Sequence, residues 1–184
     1  MSSITLAPFD EGKLNTYLKW VNDPEIGALI DHVLPVTRTE HSQWHLRLIS
    51  DADTVVFSIM STSHKDITET PVYIGNVWLV GINWRHRNAE VRILIGEKYM
   101  WGRGCGTKAL DLITRFSFDS LNLHKVYAYV LEENERAVKA FRATGFTPEG
   151  VLRDDRFLNG KYKNVMLMAQ LRTTEEAERE VKSR

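Results

Sequence analysis

The stretch that most constrains this chain is Glu90 to Ala109, E-V-R-I-L-I-G-E-K-Y-M-W-G-R-G-C-G-T-K-A. It reads as a strand, a short charged turn, a glycine-rich loop and the start of a helix. Gly102, Gly104 and Gly106 alternate where that helix begins. Alternating glycines let the backbone take positive φ and approach a ligand closely. The helix start beyond them offers unpaired N–H groups and the positive end of a dipole. Together these make an anion site, best suited to phosphate. A glycine-rich turn with no ligand is the competing reading, and Arg103 between two of the glycines weighs against it.

Two better-known phosphate loops fit poorly. Gly104 to Ala109 matches G-x-G-x-x-A, with Glu132 at a suitable distance beyond it. That fingerprint needs its first glycine directly after the strand, whereas residues 96–101 lie between Ile95 and Gly102. It also needs parallel βαβ units. The P-loop spacing before Gly106-Thr107-Lys108 is wrong, and no Lys-Ser/Thr pair follows. The ligand expected is phosphate-bearing but neither a nicotinamide dinucleotide nor a nucleoside triphosphate.

Apolar patterning predicts strands over 3–8, 54–61, 72–82 and 90–95, the last three so closely spaced that they form an antiparallel meander. A bulge or bend is expected at Gly75 or Gly81. Asp10 is placed to cap a helix over 11–21, a short helix is expected within 25–34, and Thr37 or Thr39 opens another to about Ser50. In that helix Trp44, Leu46, Leu48 and Ile49 are the apolar candidates. Beyond the loop come a helix over 107–120, a strand over 125–131 and a helix over 134–144 stopped by Gly145. A final hairpin turns at Asn159-Gly160 and returns over 162–171. Residues 1–172 read as one domain, and 173–184 as a charged tail.

Lysine plus arginine equals aspartate plus glutamate, 24 of each, so no basic surplus argues for nucleic acid or an anionic membrane. No apolar run has membrane-spanning length, and no signal-peptide pattern opens the chain. Cys105 is the only cysteine, which excludes a disulfide framework and suits a reducing, cytoplasmic setting. It reads as a small packing residue. His41 and His45 have the i, i+4 spacing of a zinc pair, but Ser42 stands where a metalloprotease has Glu and no third ligand is evident. They read as a solvated or partly packed pair, and no metal is expected. Glu90 opens an apolar strand that leads into the loop. It is open between an outward-facing residue paired with Arg87 or Arg92 and a general base beside a bound ligand.

At these residues the chain resembles the GNAT N-acetyltransferase superfamily. Trp101 to Gly106 corresponds to the pyrophosphate motif Q/R-x-x-G-x-G/A, with Trp101 departing from the usual Gln or Arg. Asn134, Ala137, Phe141 and Gly145-Phe146 match N-x-x-A-x-x-x-F-x-x-x-G-F. The resemblance implies a single α+β domain whose central twisted sheet of about seven strands is mixed, mostly antiparallel and flanked by helices. It implies acetyl-CoA as cosubstrate and direct acetyl transfer to a primary amine of a small molecule or peptide. Glu90 is the implied base and Asn134 joins it in the catalytic set while touching the pantetheine arm. Ile93, Leu94 and Ile95 would hold the thioester. Trp101, Gly102, Arg103, Gly104, Cys105, Gly106 and Thr107 would hold the pyrophosphate, with Ala137, Phe141 and Arg142 completing the cofactor set.

Many relatives carry Tyr where Phe141 stands, as the acid for the leaving thiolate; Tyr99, Tyr127 and Tyr129 are the candidate replacements. The departure leaves a second reading, an acetyl-CoA-binding sensor with little catalysis. On the acceptor, the sequence signals conflict. L-N-L-H-K-V-Y-A-Y-V and F-L-N-G-K-Y-K-N-V-M-L-M resemble spermidine acetyltransferases. W-V-N-D-P-E resembles enzymes acting on protein N-termini or nucleotide-linked amino sugars. The N-terminal acids available to a polyamine, Asp23, Glu25, Asp31 and Glu40, are few. A homodimer is a family-level expectation.

Overall fold

The computed structural model describes residues 3–30, 35–62 and 70–173. Seven strands form one sheet in the order β1-β2-β3-β4-β5-β7-β6. They are β1 (Ser3–Pro8), β2 (Val55–Thr62), β3 (Val72–Asn83), β4 (Asn88–Ile95), β5 (Lys125–Leu131), β6 (Thr147–Leu158) and β7 (Lys161–Leu171). Every neighbouring pair is antiparallel except β4 and β5. The expected mixed, mostly antiparallel sheet is the one observed. The β2-β3-β4 meander is present, with a register shift between Val80 and Asn83 where Gly81 takes φ +60°. Asn159 and Gly160 both have positive φ, as a two-residue hairpin turn requires.

Strand side chains alternate between faces, and the two faces are covered by different helices. Val77, Leu79, Ala89, Val91, Val126 and Ala128 pack with α4 (Cys105–Arg115) and α5 (Glu135–Ala143). Trp78 and Leu94 point the other way. They meet Tyr17, Trp20 and Val21 of α1 (Leu14–Val21) and Ile26 of α2 (Pro24–Leu29). Trp44 and Leu48 of α3 (Arg38–Ser50) pack against the same cluster. Core burial on this scale is the main source of stability in such a sheet.

Local chemistry explains the helix starts. Thr37 caps α3 in a full capping box: Glu40 N–H donates to Thr37 Oγ1 at 3.2 Å, and Thr37 N–H donates to Glu40 Oε2 at 2.8 Å. Asp23 accepts from Glu25 and Ile26 N–H at the start of α2. Asp10 does not cap the first helix; its carboxylate takes the Lys13 ammonium, and residues Glu11–Lys13 form a 3-10 turn before α1. The apolar candidates on α3 also need correction. Leu46 and Ile49 are more than half exposed, whereas His41 and His45 are buried. The helix after the glycine loop ends at Arg115 and widens into a π turn over Phe116–Ser120, which keeps Phe118 buried. Asp31 and the charged tail beyond Thr173 lie outside the described residues.

The one parallel pair is also the shortest. β4 and β5 are in register only at Asn88/Lys125, Ala89/Val126 and Glu90/Tyr127. Beyond Glu90 the two strands diverge, while β4 stays paired to β3 as far as Ile95. The middle of the sheet therefore opens into a wedge whose apex is Glu90.

Candidate active site

The glycine loop sits at the open end of β4. Gly102 and Gly104 have φ of 73° and 77°, and a Cβ on either would meet nothing within 4 Å. Conformation, not space, explains glycine there. Gly106 lies above the ends of Ile95 and Ile93, 3.8 and 4.0 Å from a notional Cβ. No side chain caps α4 at its start. The first amides of an eleven-residue helix are thus left facing the loop, and the donor set suits a phosphate. Arg103 is exposed and Thr107 half-buried beside it. Cys105 is buried, and burial pushes its thiol up, so it packs rather than reacts.

Trp101 has a structural job that the motif comparison could not supply. Its indole Nε1–H donates to the Ile95 carbonyl at 2.7 Å, tying the loop to the end of β4. The Arg136 guanidinium lies 4.1 Å from its ring centroid. Arg136 was not among the residues the sequence suggested. Nothing in the motif spacing signals it, because the contact joins two elements 35 residues apart. Asn134 is the N-cap of α5, where Oδ1 accepts from Ala137 N–H at 3.2 Å, and it also faces the wedge.

A cavity of about 850 Å³ occupies the wedge and continues onto the α1–α3 face. Of the residues singled out from sequence, Glu90, Ile93, Leu94, Asn134, Ala137 and Phe141 line it. Ile95, at the end of β4, and residues 101–107 do not line it, and Arg142 is exposed on α5. Phe141 is buried and stands edge-on to Phe146 at 5.0 Å.

Glu90 combines both of its possible readings. It is ion-paired, to Arg92 and not to Arg87, and it also lines the cavity. Arg92 Nε and Nη2 donate to Glu90 Oε1 and Oε2 at 2.7 and 2.9 Å. The Glu90 side chain is 15% exposed against 61% for Arg92, so the carboxylate is the inner partner. Its hold keeps the Arg92 guanidinium proton even more firmly bound than usual. Among the three tyrosines, Tyr129 lines the cavity, with its ring partly exposed. Tyr99 is exposed. Tyr127 is beside Glu90 in the sheet, and burial pushes its phenol up, helped by Tyr129 and the Glu90 charge.

The far wall of the cavity is aromatic. Tyr17 stacks on Trp44 at 5.2 Å and 3°, and on His41 at 5.1 Å and 11°. Trp78 meets Tyr17 edge-on at 5.9 Å. Burial lowers the His41 pKa, opposed by a hydrogen bond to the Leu14 backbone. His41 and His45 are therefore packed rather than solvated, and among the described residues no group of three metal-ligating side chains converges. The sequence pattern did not mark this wall, because Tyr17, His41 and Trp44 come from two helices.

Comparison with known proteins agrees with this geometry. The acetyltransferase (GNAT) domain model matches residues 3–147. Spermidine N(1)-acetyltransferase of Escherichia coli is 44% identical over 94 residues, 51% of this chain and 50% of that protein. The match thus spans about half the length of that curated relative. An uncharacterised N-acetyltransferase, p20 of Bacillus licheniformis, is 25% identical over 92% of this chain and 93% of its own. The crystal structure of spermidine N-acetyltransferase from Vibrio cholerae, in complex with CoA and spermine, superposes with a TM-score of 0.81 at 30% identity. That alignment covers 91% of this chain and 95% of the other.

Proposed function

The chain belongs to the GNAT acetyltransferase family, and from that premise we propose that it transfers the acetyl group of acetyl-CoA directly to a primary amine. One observation carries the reading. The sheet opens beyond Glu90, where the two strands part beside a cavity of about 850 Å³ that Glu90 lines, and an uncapped helix start follows the end of β4. A sensor would need the parted strands and the helix start but not the cavity.

The amides at the start of α4 hold the pyrophosphate, and Arg136 and Arg103 add positive charge nearby. The backbone of β4 beyond Glu90, with no β5 partner, fixes the thioester and meets the negative charge that develops on its carbonyl oxygen. An amine is largely protonated at neutral pH, so attack requires a base. Glu90 takes that proton. Arg92 holds both carboxylate oxygens at rest, so the proton transfer opens one of these bonds or runs through a water that shares an oxygen. Tyr129, the one of the three tyrosines in the cavity lining, takes the role of protonating the departing thiolate, which Phe141 cannot serve. The amine enters from the α1–α3 side, onto which the cavity continues.

A cytoplasmic setting is part of this proposal, supported by the single buried cysteine. So is self-association, supported by the exposed rings of Phe157 and Tyr162 on the last hairpin, and checked by sedimentation. The reading is tested by thiol release from acetyl-CoA on adding amines. Amine-dependent release supports it; saturable acetyl-CoA binding without release for any amine would return the sensor reading.

A further inference from the structure

The cavity that would receive the amine carries information about which amine it takes. A polyamine has several positive charges, and free carboxylates are the strongest partners for them. Asp23, Glu25 and Glu40, the described acids on the N-terminal helices nearest the cavity, each have a partner. Asp23 caps α2 and, with Glu25, holds the Lys98 ammonium, both at 2.8 Å. Glu40 spends its carboxylate on the Thr37 backbone and hydroxyl. Glu90 is held by Arg92 through both oxygens. Among the described residues, the charged ones lining the cavity are Glu40 and Glu90 against Arg47, Arg92 and Arg156. Arg156 is itself paired with Asp155. Arg92 gives two of its five N–H donors to Glu90, which leaves the rest of the guanidinium facing outward.

We propose that the acceptor is an amine that also carries a negatively charged group, phosphate or carboxylate. This rests on the acetyltransferase reading of the cavity. The anionic group meets Arg47 at the α3 rim and the outer edge of Arg92. The body of the acceptor lies along Tyr17, His41, Trp44 and Trp78. The amine then reaches Glu90 at the apex. Guanidinium forks bind phosphate and carboxylate oxygens through two parallel N–H donors, which makes the arrangement selective for anions as well as attractive to them.

The test uses the full chain and matched amines: an amino sugar, its phosphate ester, a nucleotide-linked amino sugar, a dipeptide with a free C-terminal carboxylate, and spermidine. The phosphate ester or the dipeptide is expected to exceed the uncharged amino sugar by about tenfold or more in kcat/KM, the gain of one charge-assisted contact. Which anionic arm leads tells phosphate from carboxylate, and the nucleotide-linked sugar tests whether a planar base adds affinity. Arg47→Glu, on an exposed helix position, should abolish that gain through the amine KM and leave the acetyl-CoA KM unchanged. Spermidine exceeding every anionic amine, or a preference untouched by Arg47→Glu, would overturn the proposal. Calorimetry of the same amines against CoA-saturated protein gives the ranking without turnover. Failure of the transfer reading is thereby kept apart from failure of this one.

Discussion

The two halves of the site are built from different materials. The cofactor half is backbone: glycine conformations, helix amides, and strand edges that lost their partner. The acceptor half is side chains: stacked rings from α1 and α3, and charges committed to neighbours. Backbone devices tolerate a change of side chain, which is why Trp101 can stand in the loop where relatives carry Gln or Arg. Side-chain devices do not, so specificity can diverge there while the cofactor half stays constant.

Substitutions can break that contrast. The largest effect is expected at the junction. Glu90→Gln should lower kcat by about 100-fold or more, the usual yield of a general base, with acetyl-CoA affinity preserved. An unchanged rate and pH profile would remove Glu90 from the chemistry. Next comes Gly104→Val, which forces a β-branched residue to φ +77°. Strain of roughly 1–3 kcal/mol should appear as about tenfold or greater weakening of acetyl-CoA binding, with the amine KM little altered. Equal loss for both ligands would deny the loop its separate role.

Gly96 offers the opposite case, since its φ is ordinary and a Cβ would fall 1.9 Å from the Trp20 ring. Gly96→Ala should cost about 1–3 kcal/mol of stability through overpacking, read as a lower Tm. A smaller change is expected from pH. Burial lowers the His41 pKa in the folded chain, so below the unfolded value the unfolded chain binds more protons. Stability should therefore fall as pH drops through about 6.5, the unfolded histidine range, and His41→Phe should flatten that slope. The smallest effect is expected at Arg136. Arg136→Ala removes an exposed cation–π contact and should raise the acetyl-CoA KM about two- to fivefold, with no change in Tm.

The same contrast explains what could be read without coordinates. Residues 102–106 and 134–146 carry the cofactor half in local spacing, because glycines and caps act on their own neighbours. The meander and the final hairpin were legible for the same reason, through alternation and Asn159-Gly160. The acceptor wall was not. Leu46 and Ile49 looked like the buried face of α3, but α3 turns His41 and His45 inward because Tyr17 and Phe9 offer rings to pack on. The Glu90–Arg92 pair was one of two pairings that spacing allowed. Only the β4–β5 divergence, which depends on residues 37 apart in sequence, sets the apex of the wedge at Glu90.

The most direct measurement is a crystal structure of the chain grown with CoA. It should place the pyrophosphate against the amides of residues 104–107 and the pantetheine arm in the gap between β4 and β5, its thiol near Glu90 and Tyr129. CoA bound elsewhere, or β4 and β5 paired beyond Glu90 with the gap closed, would contradict the account.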